Sequence, residues 1–198
     1  MQRSIATPKI MLSTQTSTSP IIAPRVIDDD LQLRLIAQVD AHALRKFEIA
    51  HRTWFERFIA TRGNYFYLPE GIQAHIAHCL SEYAAGRMQP MLIVDPTGEI
   101  LGRINLHQIN PDDASIGYRL AEHATGRGLA YKAARLLVQD AQLRWHLPQL
   151  RSLVAPDNHA SARILQKLGF SLQGQAQKAT HLVHGDVFCD AYLLRFTN

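Results

Sequence analysis

The organised part of the chain begins where apolar and polar residues start to alternate. Leu31, Leu33 and Leu35 alternate with Gln32 and Arg34, the period-two pattern of a half-buried strand. The period then changes. Ala43, Leu44, Phe47 and Ala50 recur at helical spacing, and Asp40 stands where a cap is expected. These positions predict a helix to about His51 or beyond. After an aromatic segment, a second helix is predicted over 70–85, ending near Gly86. The pattern then turns to β. Strands are predicted over 91–94, 100–109 and 114–120, separated by turns at Asp95-Pro96-Thr97-Gly98 and Asn110-Pro111-Asp112-Asp113. From 125–130 a long helix runs to about Trp145, with one apolar face at 130, 133, 134, 137, 138 and 141. A strand over 150–155 follows, then a short helix from Asn158 with Ile164, Leu165 and Leu168 inward, ending at Gly169. Phe170 to Leu172 and Asp190 to Phe196 read as closing strands. The expected class is α/β (α+β): one domain, a mixed, mostly antiparallel central sheet flanked by helices, and no internal repeat.

Composition narrows this picture. At 198 residues one domain is the default, with enough chain to bury a core. Residues 1–29, rich in Ser, Thr and Pro, read as a flexible arm, and 30–198 as the domain. The net charge is +4, but Arg3, Lys9 and Arg25 supply three of those charges within the first 27 residues. The rest of the chain is nearly neutral, so no nucleic-acid partner is expected. No apolar run approaches the ~18–20 residues needed to span a bilayer, and no membrane association is expected. Cys79 and Cys189 lie far apart and form no CxxC pair, as in a reduced cytoplasmic protein. His75 and His78, or His181 and His184 near Asp186, match no metal-ligand pattern, so no metal is expected.

The most informative stretch is Thr125-Gly126-Arg127-Gly128-Leu129-Ala130, between a strand and a helix. Such a turn exposes successive backbone N–H groups, and the helix N-terminus adds partial positive charge. The two glycines allow backbone angles and a close approach that a side chain obstructs. A phosphorylated small molecule is the expected ligand. The loop lacks the Gly-Lys-Ser/Thr of a Walker loop, and Tyr131 stands where a Rossmann loop has its third glycine.

The element order and the residues at two turns resemble the GNAT superfamily of acetyl-CoA-dependent N-acetyltransferases. The family's cofactor loop has the form Gln/Arg-x-x-Gly-x-Gly/Ala. Gly128 and Ala130 match its last two fixed positions, while Thr125 stands where the Gln/Arg would be. Asn158-His159-Ala160-Ser161 and Lys167-Leu168-Gly169-Phe170 resemble the second cofactor motif. Within the superfamily, four strings are similar to the ribosomal-protein N-terminal acetyltransferases of the RimJ/RimL type. They are Phe47-Glu48-Ile49-Ala50-His51-Arg52, Leu101-Gly102-Arg103-Ile104-Asn105-Leu106, Ile116-Gly117-Tyr118-Arg119-Leu120 and the 125–130 loop. The likeness spans roughly residues 31–196.

The resemblance implies a cofactor, acetyl-CoA, and residues to hold it. The backbone of Tyr118, Arg119 and Leu120 would pair with the pantetheine arm, with an N–H near Leu120 facing the thioester oxygen. Amides of Gly126, Arg127, Gly128, Leu129 and Ala130, beside Thr125, would hold the pyrophosphate. The Arg127 side chain is a candidate phosphate contact or a solvated loop arginine. Asn158 would bond the pantetheine or cap its helix. Ser161 is a candidate donor to the leaving sulfur, with water as the alternative, because Leu165 stands where many relatives carry a tyrosine.

For the base, Ser115 replaces the glutamate many relatives carry. His107, on the same strand face as Asn105, is the candidate, with Glu99, Glu48 and relayed water as alternatives. Trp54, Tyr65 and Tyr67 are candidate walls of an acceptor groove. The expected acceptor is a protein or peptide N-terminal α-amine. A small amine as acceptor, or a non-catalytic acetyl-CoA sensor, are the competing readings, and a monomer or homodimer is expected.

Overall fold

The computed structural model describes residues 22–28, 31–176, 179–182 and 184–197. Its main sheet has eight strands: β1 (Arg25–Asp28), β2 (Leu31–Leu35), β3 (Met88–Val94), β4 (Ile100–His107), β5 (Ala114–Leu120), β6 (Gln149–Val154), β7 (Ser171–Gln175) and β10 (Asp190–Arg195). Their spatial order is β1-β2-β3-β4-β5-β6-β10-β7. Every neighbouring pair is antiparallel except β5 and β6. A separate hairpin joins β8 (Thr180–Leu182) to β9 (Gly185–Val187). Helices α1 (Ala41–Ala50) and α3 (Pro69–Ala84) pack together, α1 over β4 and α3 over β3. Between them in sequence lies the one-turn α2 (Arg52–Phe55). Helix α4 (Leu129–Leu143) packs on β4 and β5, and α5 (His159–Lys167) follows β6.

The expected mixed, mostly antiparallel sheet is present. The α4 periodicity also holds, since Ala130, Ala133, Ala134, Leu137 and Ala141 are buried. One polar residue interrupts that face. Asp140 is 3% exposed and accepts from Arg25 (2.6 Å), Gln89 (2.6 Å) and Arg144 (3.0 Å). Three partners satisfy a carboxylate that would otherwise be costly to bury. The bond also ties β1 to the body of the fold.

That tie corrects the expected arm. Ile22 is buried and residues 25–28 pair with β2, so the packed fold begins before residue 30. The Ser/Thr-rich residues 1–21 lie outside the described residues. A second correction concerns Asp40. It makes no side-chain cap for α1. Its carboxylate instead accepts from the Arg34 guanidinium (2.6 Å) and the Ala37 N–H (2.7 Å), bracing a 3-10 turn over 38–40. β8 and β9 were not expected, because three-residue strands carry no readable alternation.

The feature that makes a site is the departure of β6 from β5. The two strands pair only at Ala114 with Leu150 and Ser115 with Arg151. Beyond that point they part. Along an antiparallel strand the backbone groups of successive residues point to opposite sides. The Ala121 N–H bonds the Leu101 carbonyl on the β4 side, so Tyr118 and Leu120 direct their backbone groups towards the gap.

Candidate active site

A cleft of about 760 Å³ fills that gap. Tyr118, Arg119 and Leu120 line one edge, and Thr125, Gly126, Gly128, Leu129 and Ala130 line the floor at the start of α4. Asn158 and Ser161 close the α5 side. Gly126 and Gly128 both adopt left-handed φ, 75° and 74°, with Arg127 at negative φ between them. Alternating backbone hand of this kind turns successive N–H groups into a concave anion-binding nest. A Cβ added at either glycine would meet nothing within 4 Å. The glycines are therefore required by conformation, and the space above them is open to a ligand. The first intrahelical bond of α4 runs from the Lys132 N–H to the Gly128 carbonyl, so the amides before Lys132 precede the helical ladder.

The loop braces itself. Thr125 Oγ1 donates to the Glu122 carbonyl at 2.7 Å, so its hydroxyl closes a turn. Arg127 is exposed and does not line the cleft; besides Arg119 on β5, the cations that do are Arg163 and Lys167 on α5. Asn158 caps α5, its Oδ1 accepting the Ser161 N–H at 3.2 Å. Sequence reasoning missed the next contact. The Tyr118 hydroxyl, from β5, lies 2.9 Å from Ser161 Oγ. Burial pushes the Tyr118 phenol up to about 12, against the smaller lowering by the Ser161 hydrogen bond. It keeps its proton at neutral pH. The position usually given to an acid, Leu165, is buried in the core, and the phenol comes from a strand instead.

A second cavity, of about 290 Å³, adjoins the first and shares Ile59, Tyr118 and Arg119 with it. It contains both sequence-predicted catalytic candidates of β4, Asn105 and His107. Register explains why: Asn105 pairs with Gly117 and His107 with Ser115, so the two side chains stand over small neighbours. The nearest atom to a Cβ built on Gly117 is the His107 Nε2, at 3.7 Å. Burial, with Arg151 adding repulsion, lowers the His107 pKa and leaves the imidazole neutral. Asn105 Oδ1 is buried without a hydrogen-bond partner among the described residues.

The other base candidates are elsewhere. Glu99 is exposed on the β3–β4 turn. Glu48, 1% exposed, is locked between Arg103 (2.7 Å) and Arg119 (3.1 Å). Burial raises its pKa, but the two guanidinium groups outweigh this and hold it below the ordinary carboxylate range. Of the expected acceptor-groove aromatics, Trp54 lines the larger cleft and donates from Nε1 to the Leu120 carbonyl at 3.1 Å. Tyr65 is 60% exposed and outside both cavities. Tyr67 is also outside them, with Arg52 stacked 4.4 Å from its ring. His75 bonds Arg103 at 2.7 Å.

A family model described as Acetyltransferase (GNAT) domain matches residues 30–171. The chain belongs to that family. This acetyltransferase is 28% identical over 152 residues to a probable N-acetyltransferase, YjcK, of Bacillus subtilis, covering 75% of this chain and 84% of the relative. It is 24% identical over 157 residues to the [ribosomal protein uS5]-alanine N-acetyltransferase of Escherichia coli, covering 77% and 81%. Among solved structures it is similar to the ribosomal-protein-S5-alanine acetyltransferase of Vibrio fischeri (TM-score 0.83, 20% identity, 88% and 97% covered). It is also similar to RimL, a ribosomal L7/L12 α-N-protein acetyltransferase in complex with coenzyme A (TM-score 0.81, 20% identity, 88% and 98% covered).

As a GNAT acetyltransferase, the protein is an enzyme that takes its acyl group from acetyl-CoA and acetylates an amine. The residues present fit that donor. The open left-handed nest suits a pyrophosphate, Arg163 and Lys167 suit further phosphate charge, and the unpaired edge of β5 suits an amide-bearing arm.

Proposed function

We propose that this acetyltransferase modifies the N-terminal α-amine of a protein or peptide. The carrying observation is Asn105. Its buried Oδ1 lacks a donor, and it sits with neutral His107 in a cavity that meets the donor cleft at Tyr118. An amine nitrogen supplies the N–H that this oxygen lacks. The Escherichia coli relative's name, with a ribosomal-protein alanine as acceptor, favours a protein acceptor over a small amine.

In this reading each side of the junction handles one proton. Bound acetyl-CoA supplies an activated acyl group as a thioester. Asn105 orients the incoming amine, and His107 Nε2 takes its proton, directly or through water. Tyr118 Oη and Ser161 Oγ, 2.9 Å apart, hold a proton on the other side for the departing thiolate. The Leu120 N–H, directed into the gap, serves as the oxyanion donor. We assign Gly126, Gly128, Leu129, Ala130 and the Arg127 backbone to the pyrophosphate. The catalytic domain spans residues 22–197. Among the described residues no helix is long and apolar enough to cross a membrane. We place the enzyme in the cytoplasm, as monomer or homodimer, without a nucleic-acid or membrane partner.

A thiol-release assay with acetyl-CoA against N-terminal peptides and small amines tests this. Mass spectrometry of the products should find the acetyl group on the peptide α-nitrogen. Turnover confined to small amines would overturn the peptide assignment.

A further inference from the structure

The acceptor cavity holds more positive charge than its own residues neutralise. Arg62, Arg103 and Arg119 all line it. The carboxylate at hand is Glu48, and Arg103 and Arg119 both pair with the same Glu48 oxygen, Oε1, at 2.7 and 3.1 Å. Arg103 is 2% exposed and Arg119 12% exposed, so solvent screens neither. The second Arg103 nitrogen is bonded to His75, which adds no counter-charge. Burial, with repulsion from Arg103, Arg62 and Arg119, drives the His75 pKa down to about 2, so the ring stays neutral.

Arg62 is half-buried and stacks over Phe66 at 4.3 Å. Among the described residues no carboxylate pairs with it. Burial and the neighbouring Arg103 both lower its pKa. Arg119 is pushed down to about 9, by burial first and then by Arg103 and Arg62 against the pull of Glu48. A guanidinium does not lose its proton in a protein, so all three remain charged. Three cations thus face one anion. Excess buried charge is costly unless a partner arrives.

We infer that the cavity selects an amine acceptor carrying a carboxylate close to its amine, such as a peptide with Asp or Glu at its second position. This rests on the reading of the second cavity as the acceptor site. Asn105 and His107 lie at the amine end of that cavity, and the three arginines supply the anion end. Arg62 is the specificity-determining residue, because it feels the Glu48 charge without pairing with it, whereas Arg103 and Arg119 are both held by that carboxylate. A bidentate guanidinium–carboxylate contact is both strong and geometrically selective.

The test uses the full chain and tripeptides differing only at the second residue: Asp, Asn or Lys. Free aspartate is included as a non-peptide acceptor. The expected kcat/KM is about tenfold higher for Asp than for Asn, and lowest for Lys, the size of one charge-assisted hydrogen bond. Arg62→Met should bring the Asp-to-Asn ratio close to one. Arg62→Glu should reverse the order in favour of Lys. Equal rates for Asp and Asn peptides, or a ratio unmoved by Arg62→Met, would overturn the inference while leaving peptide acetylation intact. An equal loss on every peptide would overturn it too, because that pattern marks a general role. Turnover of free aspartate with silent peptides would sustain the anion selectivity and overturn the peptide reading. Silence on all acceptors would overturn both.

Discussion

The two cavities that meet at Tyr118 are built from different materials. The donor cleft is largely a backbone device: a left-handed nest at Gly126 and Gly128, the start of α4, and the edge of β5 exposed where β6 turns away. The second cavity, which we propose receives the acceptor, is a side-chain device, made of Asn105, His107, three arginines and the Glu48 carboxylate beside them. A backbone cradle recognises what every acetylation shares, the donor. On the proposed reading, a side-chain pocket recognises what differs between reactions, the acceptor. Mutations should separate the two.

The largest expected effect is on stability, on the acceptor side. Glu48→Ala leaves Arg103 and Arg119 buried without their counter-charge. The expected loss is about 3–5 kcal/mol by denaturant unfolding, as for other broken buried pairs. A loss below about 1 kcal/mol would show that the arginines do not depend on Glu48, and would blur the contrast between the halves. The smaller effect lies at the junction. Tyr118→Phe removes the phenol that meets Ser161 while keeping the ring. The kcat should fall about tenfold with KM little changed, in line with the lower range of general acid catalysis. An unchanged kcat would return the thiolate proton to Ser161 alone or to water.

The same contrast explains what the sequence allowed to be read. The donor cleft was legible because its parts are local. A strand, a glycine turn and a helix start lie within one run, Ala114 to Leu143, and the glycines are there because the backbone needs them. Asn158 and Ser161 were legible for the same reason, as a helix cap with its first turn. The acceptor cavity was only half legible. Asn105 and His107 share a strand face, which alternation predicts. Arg62, Arg103, Arg119 and Glu48 come from a loop, two strands and a helix, and no local pattern announces that they converge. The strings containing Glu48, Arg103 and Arg119 were recognised as a resemblance, but their mutual pairing is tertiary information. Tyr118 shows the same limit. Its backbone was expected at the cofactor, yet the contact of its hydroxyl with α5 depends on the angle at which β6 leaves β5. The misplaced aromatics failed for a simpler reason: Tyr65 and Tyr67 lie on a 3-10 turn whose direction no periodicity fixes.

Titration of acetyl-CoA into the Gly128→Val variant probes the backbone cradle itself. A β-branched residue disfavours the left-handed φ of 74° and places methyl groups in the open space above the loop. The expected result is at least about 100-fold weaker binding in a folded protein whose melting temperature without ligand falls by only a few degrees, the strain of one residue in the wrong backbone region. Unweakened binding of acetyl-CoA to that variant would contradict the placement of the donor on the 125–130 loop.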